Sequence, residues 1–434
     1  MTEKAYRARI FHLLDDPHVS DAPYQYFEDG ILVTDNGHIK ACGPASQYLS
    51  TLHKDTIIQH FPNHVILPGF IDTHIHYPQV DIIASYGKQL MDWLDTYTFP
   101  AETQFSDQTK CAETARFFLD ELLRNGTTTA LVFGTVHESS ADALFDAAKA
   151  RNMRLIAGKV LMDRGAPKEL LDGSDLGEAA TERLIKKYHG RHRLGYAITP
   201  RFAPTSSPAQ LKMAGRLKSR HKDVYVHTHM SESKAEITTV AKLFPQARDY
   251  LAVYETYGLV TEKTMLAHGV RLSANMCKRI AGAGAAVSLC PTSNLFIGSG
   301  LFNLARLRRH NVKVSLGTDV GGGTSFLQLA TMKTAYEVCQ LRDLSLSAFE
   351  AFYMATLGGA RALGLEGYIG NFERGKEADF TVLDLKATPL ISHRLRSVQS
   401  VHEMLFALMI LGDDRCIAAT AILGDIIHRR GGAI

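Results

Sequence analysis

The chain has 434 residues, a formal net charge of +3 and 45% hydrophobic residues, an ordinary globular composition with enough apolar surface for a large core. Its Lys and Arg residues are scattered, which excludes a nucleic-acid or anionic-membrane patch and leaves a small molecule as the expected partner. Six cysteines form no Cys-x-x-Cys pair, so neither a thiolate zinc site nor a disulfide framework is expected.

The N-terminal residues MTEKAYRARI contain no signal-type apolar core, and no stretch approaches the roughly 18 apolar residues of a membrane span. The expectation is a cytoplasmic enzyme. Residues 1–67 read as short strands and turns. Phe27–Thr34 is a strand candidate, and Asp35-Asn36-Gly37 supplies a tight turn into His38–Cys42. The middle of the chain then alternates. Strand-like apolar runs at Ile66–His76, Thr128–Gly134, Arg154–Met162, Leu194–Pro200, Val224–His229, Thr264–His268, Ala285–Cys290 and Val312–Asp319 are separated by helical stretches such as Thr109–Asn125 and Ser139–Arg151. Eight such units in series predict an α/β fold, a (β/α)8 TIM barrel over 68–370, although a doubly wound sheet would give similar local signals. Ala378–Asp384 and Cys416–His428 are again strand-like, with a turn at Gly424-Asp425. The two β-rich ends, 1–67 and 371–434, are predicted to form one small β-sandwich domain built from both termini.

Barrel enzymes carry their chemistry at the C-terminal ends of strands, and the polar residues there are unusual. The first strand ends in Asp72-Thr73-His74-Ile75-His76. Side chains two apart on a strand share a face, so His74 and His76 can chelate one ion. The fifth ends in His227-Thr228-His229-Met230-Ser231-Glu232, the sixth in His268 and the eighth in Asp319. Imidazoles with one carboxylate suit zinc and leave room for water. The same donors also suit iron. Spacing alone does not separate His227 from His229 as a ligand.

These motifs, with Pro68–His76 (PGFIDTHIH) and Gly370–Asp384 (GNFERGKEADFTVLD), resemble the amidohydrolase superfamily in order along nearly the whole chain. The resemblance implies that His74, His76, His229 and Asp319 ligate the metal, with His268 a further ligand or a hydrogen-bond partner of water or substrate. It selects His229, three before the Glu, over His227. Relatives with two metals carry a bridging lysine on strand four. Here that strand ends Thr199-Pro200-Arg201-Phe202, so one Zn2+ per subunit is expected. His-Tyr-Pro-Gln (76–79), WLDTYTFPAE (93–102), GKVLMD (158–163), TPRFAPT (199–205), HMSE (229–232) and NLFIGSGLFN (294–303) resemble the guanine-deaminating branch of that superfamily. Hydrolysis of guanine to xanthine and ammonia is the implied activity, and a homodimer the implied assembly. Another aminated heterocycle, or a non-catalytic relative, are the alternatives.

In that scheme zinc brings water toward a pKa of roughly 7, Asp319 accepts the proton, Glu232 shuttles it to the ring and the leaving amine, and His268 holds the attacking oxygen. His76, Gln79, Arg201, Phe202, Glu232, His268 and Asp319 are the expected substrate contacts. Arg201 donates to the carbonyl, Gln79 donates and accepts, and Phe202 offers a stacking face.

Overall fold

The computed structural model describes residues 3–87 and 89–432. Its strands in chain order are β1 (Lys4–Leu13), β2 (Tyr24–Asp35), β3 (His38–Pro44), β4 (Ile57–Pro68), β5 (Phe70–His76), β6 (Thr127–Phe133), β7 (Arg154–Gly158), β8 (Val160–Leu161), β9 (Leu194–Pro200), β10 (Tyr225–Met230), β11 (Thr264–His268), β12 (Ala286–Leu289), β13 (Lys313–Leu316), β14 (Phe380–Asp384), β15 (Ile417–Ile422) and β16 (Asp425–Arg429).

Both chain ends contribute to one seven-stranded mixed sheet, ordered β16-β15-β14-β4-β1-β2-β3. Among its described pairs only β1–β4 is parallel. Alternation explains its two faces. Tyr6, Ala8 and Ile10 of β1 join Leu32, Ile39, Ile66, Phe380, Val382, Ala419 and Ala421 in one buried cluster. Ala5, Ile31 and Val33 point the other way and gather under Ala45. The predicted hairpin is present: Asn36 and Gly37 both take positive φ, 51° and 80°, as a two-residue turn of this hand requires. The C-terminal hairpin turns one residue earlier than predicted, at Leu423 (φ 49°) and Gly424 (φ 75°). Asp425 already belongs to β16. The two hairpins meet, since a Cβ on Gly37 would lie 3.0 Å from Leu423 Cβ. The sheet therefore curls so that its ends touch, which is how one sheet encloses a core.

The parallel barrel runs β13-β12-β11-β10-β9-β7-β6-β5, with β8 paired to β9. All eight predicted strands are present, the third split in two and the first shortened to Phe70–His76, because Ile66–Pro68 end β4 of the mixed sheet. Gly158 marks the split, because a Cβ there would sit 1.8 Å from the Ala197 carbonyl oxygen. The barrel closes beyond the last strand: His76 N–H donates to Val320 O and Asp319 N–H to His74 O, each at 2.9 Å. Closure sets Asp319 beside the two first-strand histidines. The predicted helices appear as Gln108–Arg124 and Glu138–Ala150.

The chain divides into two compact units. One comprises 1–72, 120–129 and 326–434; the other comprises 73–119 and 130–325. Every residue of the candidate site belongs to the second.

Candidate active site

His74 and His76 lie on one face of β5, and both are buried. Their Nε2 atoms approach Asp319 Oδ1 at 3.1 and 3.3 Å. His229, from the end of β10, brings its Nε2 to 3.2 Å from His76 Nε2. Ligand atoms of His74, His76, His229 and Asp319 all lie within 4.8 Å of one another. Nitrogen and oxygen donors about 2.0–2.1 Å from a tetrahedral ion stand roughly 3.3 Å apart, so the measured edges fit a resident metal. The outer ring nitrogens of His229 and His74 are tethered, whereas His76 Nδ1 has no hydrogen-bond partner among the described residues. His229 Nδ1 contacts Arg201 O at 2.8 Å, and His74 Nδ1 contacts His227 Nε2 at 2.8 Å. Such bonds fix the tautomer that presents Nε2 to a metal. His227 lies behind His74 and is not part of that grouping of donor atoms.

His268, at the end of β11, bridges to the rest of the site. Its Nδ1 meets Asn294 Oδ1 at 3.0 Å. Its Nε2, buried without a hydrogen-bond partner among the described residues, stands 3.4 Å from Glu232 Oε2 and 3.8 Å from Asp319 Oδ2. His268, Cys290, His74 and Asp319 also offer a grouping of donors within 4.8 Å. His268 and Asp319 both hold left-handed backbone, φ 70° and 54°. Side-chain-bearing residues rarely adopt it, and it collects at functional sites.

Electrostatics follow from burial. It pushes His76 down to about 3 and lowers His74, His227 and His229 as well, keeping these imidazoles neutral, as metal ligation requires. Burial works against the Asp319 carboxylate, but His74 and His268 outweigh it and hold Asp319 well below its usual range. Glu232 behaves oppositely. Burial, then the charge of Asp319, push it up to about 8. Two neighbouring carboxyl groups are thus separated, one ionised and one able to carry a proton near neutrality.

A cavity opens beside these groups, lined by His76, Gln79, Arg201, Phe202, His229, Glu232, His268 and Asp319 together with Trp93. The substrate residues expected from the sequence are therefore assembled around one space. Trp93 is both a wall of that cavity and part of a core cluster with Phe99, Phe133 and Phe202. Lys159, away from the cavity lining, holds Asp172 at 2.6 Å.

Three further residues carry no signal of their own in the sequence. Glu102 is fully buried and accepts from Arg201 Nη1 with both oxygens, at 2.8 and 2.9 Å. It also accepts from Gln79 Nε2 at 3.2 Å. Ser299 donates to Glu232 Oε1 at 2.7 Å, and Asn294 orients His268. Their position inside WLDTYTFPAE and NLFIGSGLFN is the one pointer to them; spacing supplies none.

The amidohydrolase family profile matches residues 65–427. The chain is 48% identical to a guanine deaminase of Escherichia coli (strain K12), across 99% of this chain and 98% of that protein. A solved structure of E. coli guanine deaminase superposes with a TM-score of 0.96 at 46% identity, covering 99% of this chain and 100% of that one. A guanine deaminase from C. acetobutylicum with bound guanine in the active site superposes with a TM-score of 0.89 at 27% identity, covering 98% and 100% of the two chains. With its histidines and aspartate gathered at the barrel mouth and the match running through most of its length, the chain belongs to the amidohydrolase family.

Proposed function

We propose that the protein hydrolyses guanine to xanthine and ammonia, with one zinc ion per subunit held by His74, His76, His229 and Asp319 and His268 beside it. The observation that carries this reading is the meeting, in one cavity, of a metal-type donor set, a proton-bearing Glu232 and the donor pair Arg201 and Gln79. Identity with guanine deaminases over the full chain supports the same substrate.

When bound, zinc supplies a Lewis acid that makes water nucleophilic near neutral pH. The chain's own groups do the remainder. Arg201 donates to the guanine carbonyl, Gln79 donates beside it, and Phe202 offers its ring as a stacking face. Asp319 takes the proton from water. Glu232 delivers its proton from Oε2 to the ring nitrogen next to the reacting carbon, takes up the proton of the newly added hydroxyl as the carbonyl forms and passes it to the departing amine, and the proton held by Asp319 returns to Glu232 to close the cycle. His268 Nε2, between Glu232 and Asp319, holds the attacking oxygen in line. Water adds and ammonia leaves, so atoms balance without another reactant.

A purine panel followed by the ultraviolet change of ring deamination, with elemental analysis of the same sample, tests the reading. Turnover of guanine with one zinc per chain is expected. No guanine turnover, or full activity in metal-free protein, overturns it. The cytoplasmic homodimer implied by the family resemblance is part of the proposal, and light scattering of the purified protein checks the assembly.

A further inference from the structure

Arg201 and Gln79 line the cavity, yet neither is held by its own strand end alone. Both are tied to Glu102, a residue of the short helix Phe99–Thr103 that does not itself line the cavity. Glu102 has no exposed surface. A buried carboxylate accepts hydrogen bonds and donates none, so its contacts impose direction. The 3.2 Å contact to Gln79 requires the amide nitrogen of Gln79, not its oxygen, to face Glu102. The Gln79 oxygen then turns to the Gly321 N–H, 3.3 Å away. What Gln79 retains for a ligand is its second amide hydrogen. Arg201 spends only Nη1 on Glu102, with both bonds from that atom, and an arginine has five donors in a rigid fork. The guanidinium plane is thereby set, with Phe99 against it at 5.8 Å.

We propose that Glu102 is the positioning residue that sets the hydrogen-bonding polarity of the substrate pocket, by forcing Gln79 and Arg201 both to act as donors toward the ligand. The ligand edge that fits is an oxygen beside an acceptor nitrogen, as in a 6-oxopurine. A purine with an amine or hydrogen in place of that oxygen keeps only the acceptor nitrogen, so one of the two donors is left unmatched. The inference rests on the guanine-hydrolysing reading and deepens it.

The test compares wild type with Glu102→Gln and Glu102→Asp in the full-length zinc-loaded protein. Glutamine keeps the size but removes the charge and frees the Gln79 amide to flip. Binding of guanine and of 2-aminopurine, which lacks the oxygen, is measured by calorimetry, alongside kcat and KM for guanine and zinc content. Glu102→Gln is expected to raise KM for guanine and lower kcat/KM by about 10²-fold, the scale for a misplaced binding group. 2-Aminopurine binding and zinc content should stay unchanged, so that selectivity collapses. Glu102→Asp should recover part of it. Equal weakening toward both purines, or loss of zinc, means that Glu102 only holds the fold and overturns the inference. Unchanged selectivity in Glu102→Gln overturns it too. If Glu102→Gln does not fold, Glu102→Asp alone must show the selectivity loss, and its absence there is decisive. Failure of the wild type to turn over guanine is a separate result that sinks the underlying reading instead.

Discussion

His76 and His229 face one another Nε2 to Nε2 at 3.2 Å. Two neutral imidazoles aimed tip to tip share one proton or an ion, and Asp319 lies 3.3 Å from the same His76 atom. The arrangement is that of ligands around a common centre. Elemental analysis is expected to find one zinc per chain. Removing it with a chelator should lower the thermal midpoint by roughly 4 °C, from tight-ligand linkage at ~4 kcal/mol, and adding zinc back should restore it. Two metals per chain would contradict the single-ion reading, and an unchanged midpoint would show that the cluster holds no structural metal.

Glu232 is bonded by Ser299 at Oε1 and stands beside His268 at Oε2, so one oxygen is anchored and the other is left to exchange a proton. Glu232→Gln should keep fold and zinc while lowering kcat by about 10²–10⁴, the range for a lost general acid–base group. Ser299→Ala removes only the anchor, and a loss of about tenfold is expected, from one hydrogen bond to a charged or acidic group. Near-normal turnover in Glu232→Gln returns that residue to a structural role.

Arg201 can only donate. Against guanine it meets a carbonyl; against adenine it meets an amine, another donor. Sites built around one hydrogen-bonding group reject an analogue lacking it by roughly 10⁴–10⁵. Wild-type kcat/KM should therefore favour guanine over adenine on that scale, and Arg201→Met should abolish most guanine turnover with zinc retained. Adenine rates rivalling guanine, or an intact guanine rate in Arg201→Met, would show that the pocket is read wrongly.

His12, in the compact unit that does not contain the site, controls an acid limb of stability. Phe372 N–H donates to its Nδ1 at 3.3 Å and its Nε2 meets Gln25 Oε1 at 3.1 Å, so the neutral ring is satisfied and a second proton would face a backbone donor. Burial pushes it from 6.5 down to about 4. Below 6.5 the unfolded chain takes a proton that the folded chain refuses, so stability falls as pH drops from 6.5 to about 4 and is constant in this respect above. The shift corresponds to about 3 kcal/mol. Denaturant unfolding of wild type and His12→Leu across that window should show a shallower acid slope in the variant. Parallel slopes would remove His12 from the account.

Much of this protein is written locally. Period-two alternation marks which side chains of a strand share a face. That rule alone sorts Tyr6, Ala8 and Ile10 of β1 from Ala5, and it pairs His74 with His76. Asn36-Gly37 writes its own turn because both residues tolerate left-handed backbone. The C-terminal turn falls one residue away from its expected place because Leu423, which ordinarily avoids that conformation, adopts it.

Other relationships were decided only when the barrel closed. Glu102 and Arg201 are 99 residues apart and Ser299 and Glu232 are 67 apart; no periodicity spans such distances, and a single Glu in a helical stretch is most often solvated. The choice between His227 and His229 was likewise undetermined by their spacing, since both point to the same face of β10. Depth along the barrel separates them: His227 stops against the back of His74, while His229 reaches its rim. Sequence thus determined which residue types stand at the strand ends, because that depends on neighbours one or two positions away. The tertiary structure decided which of them meet, because that depends on the path of every loop between.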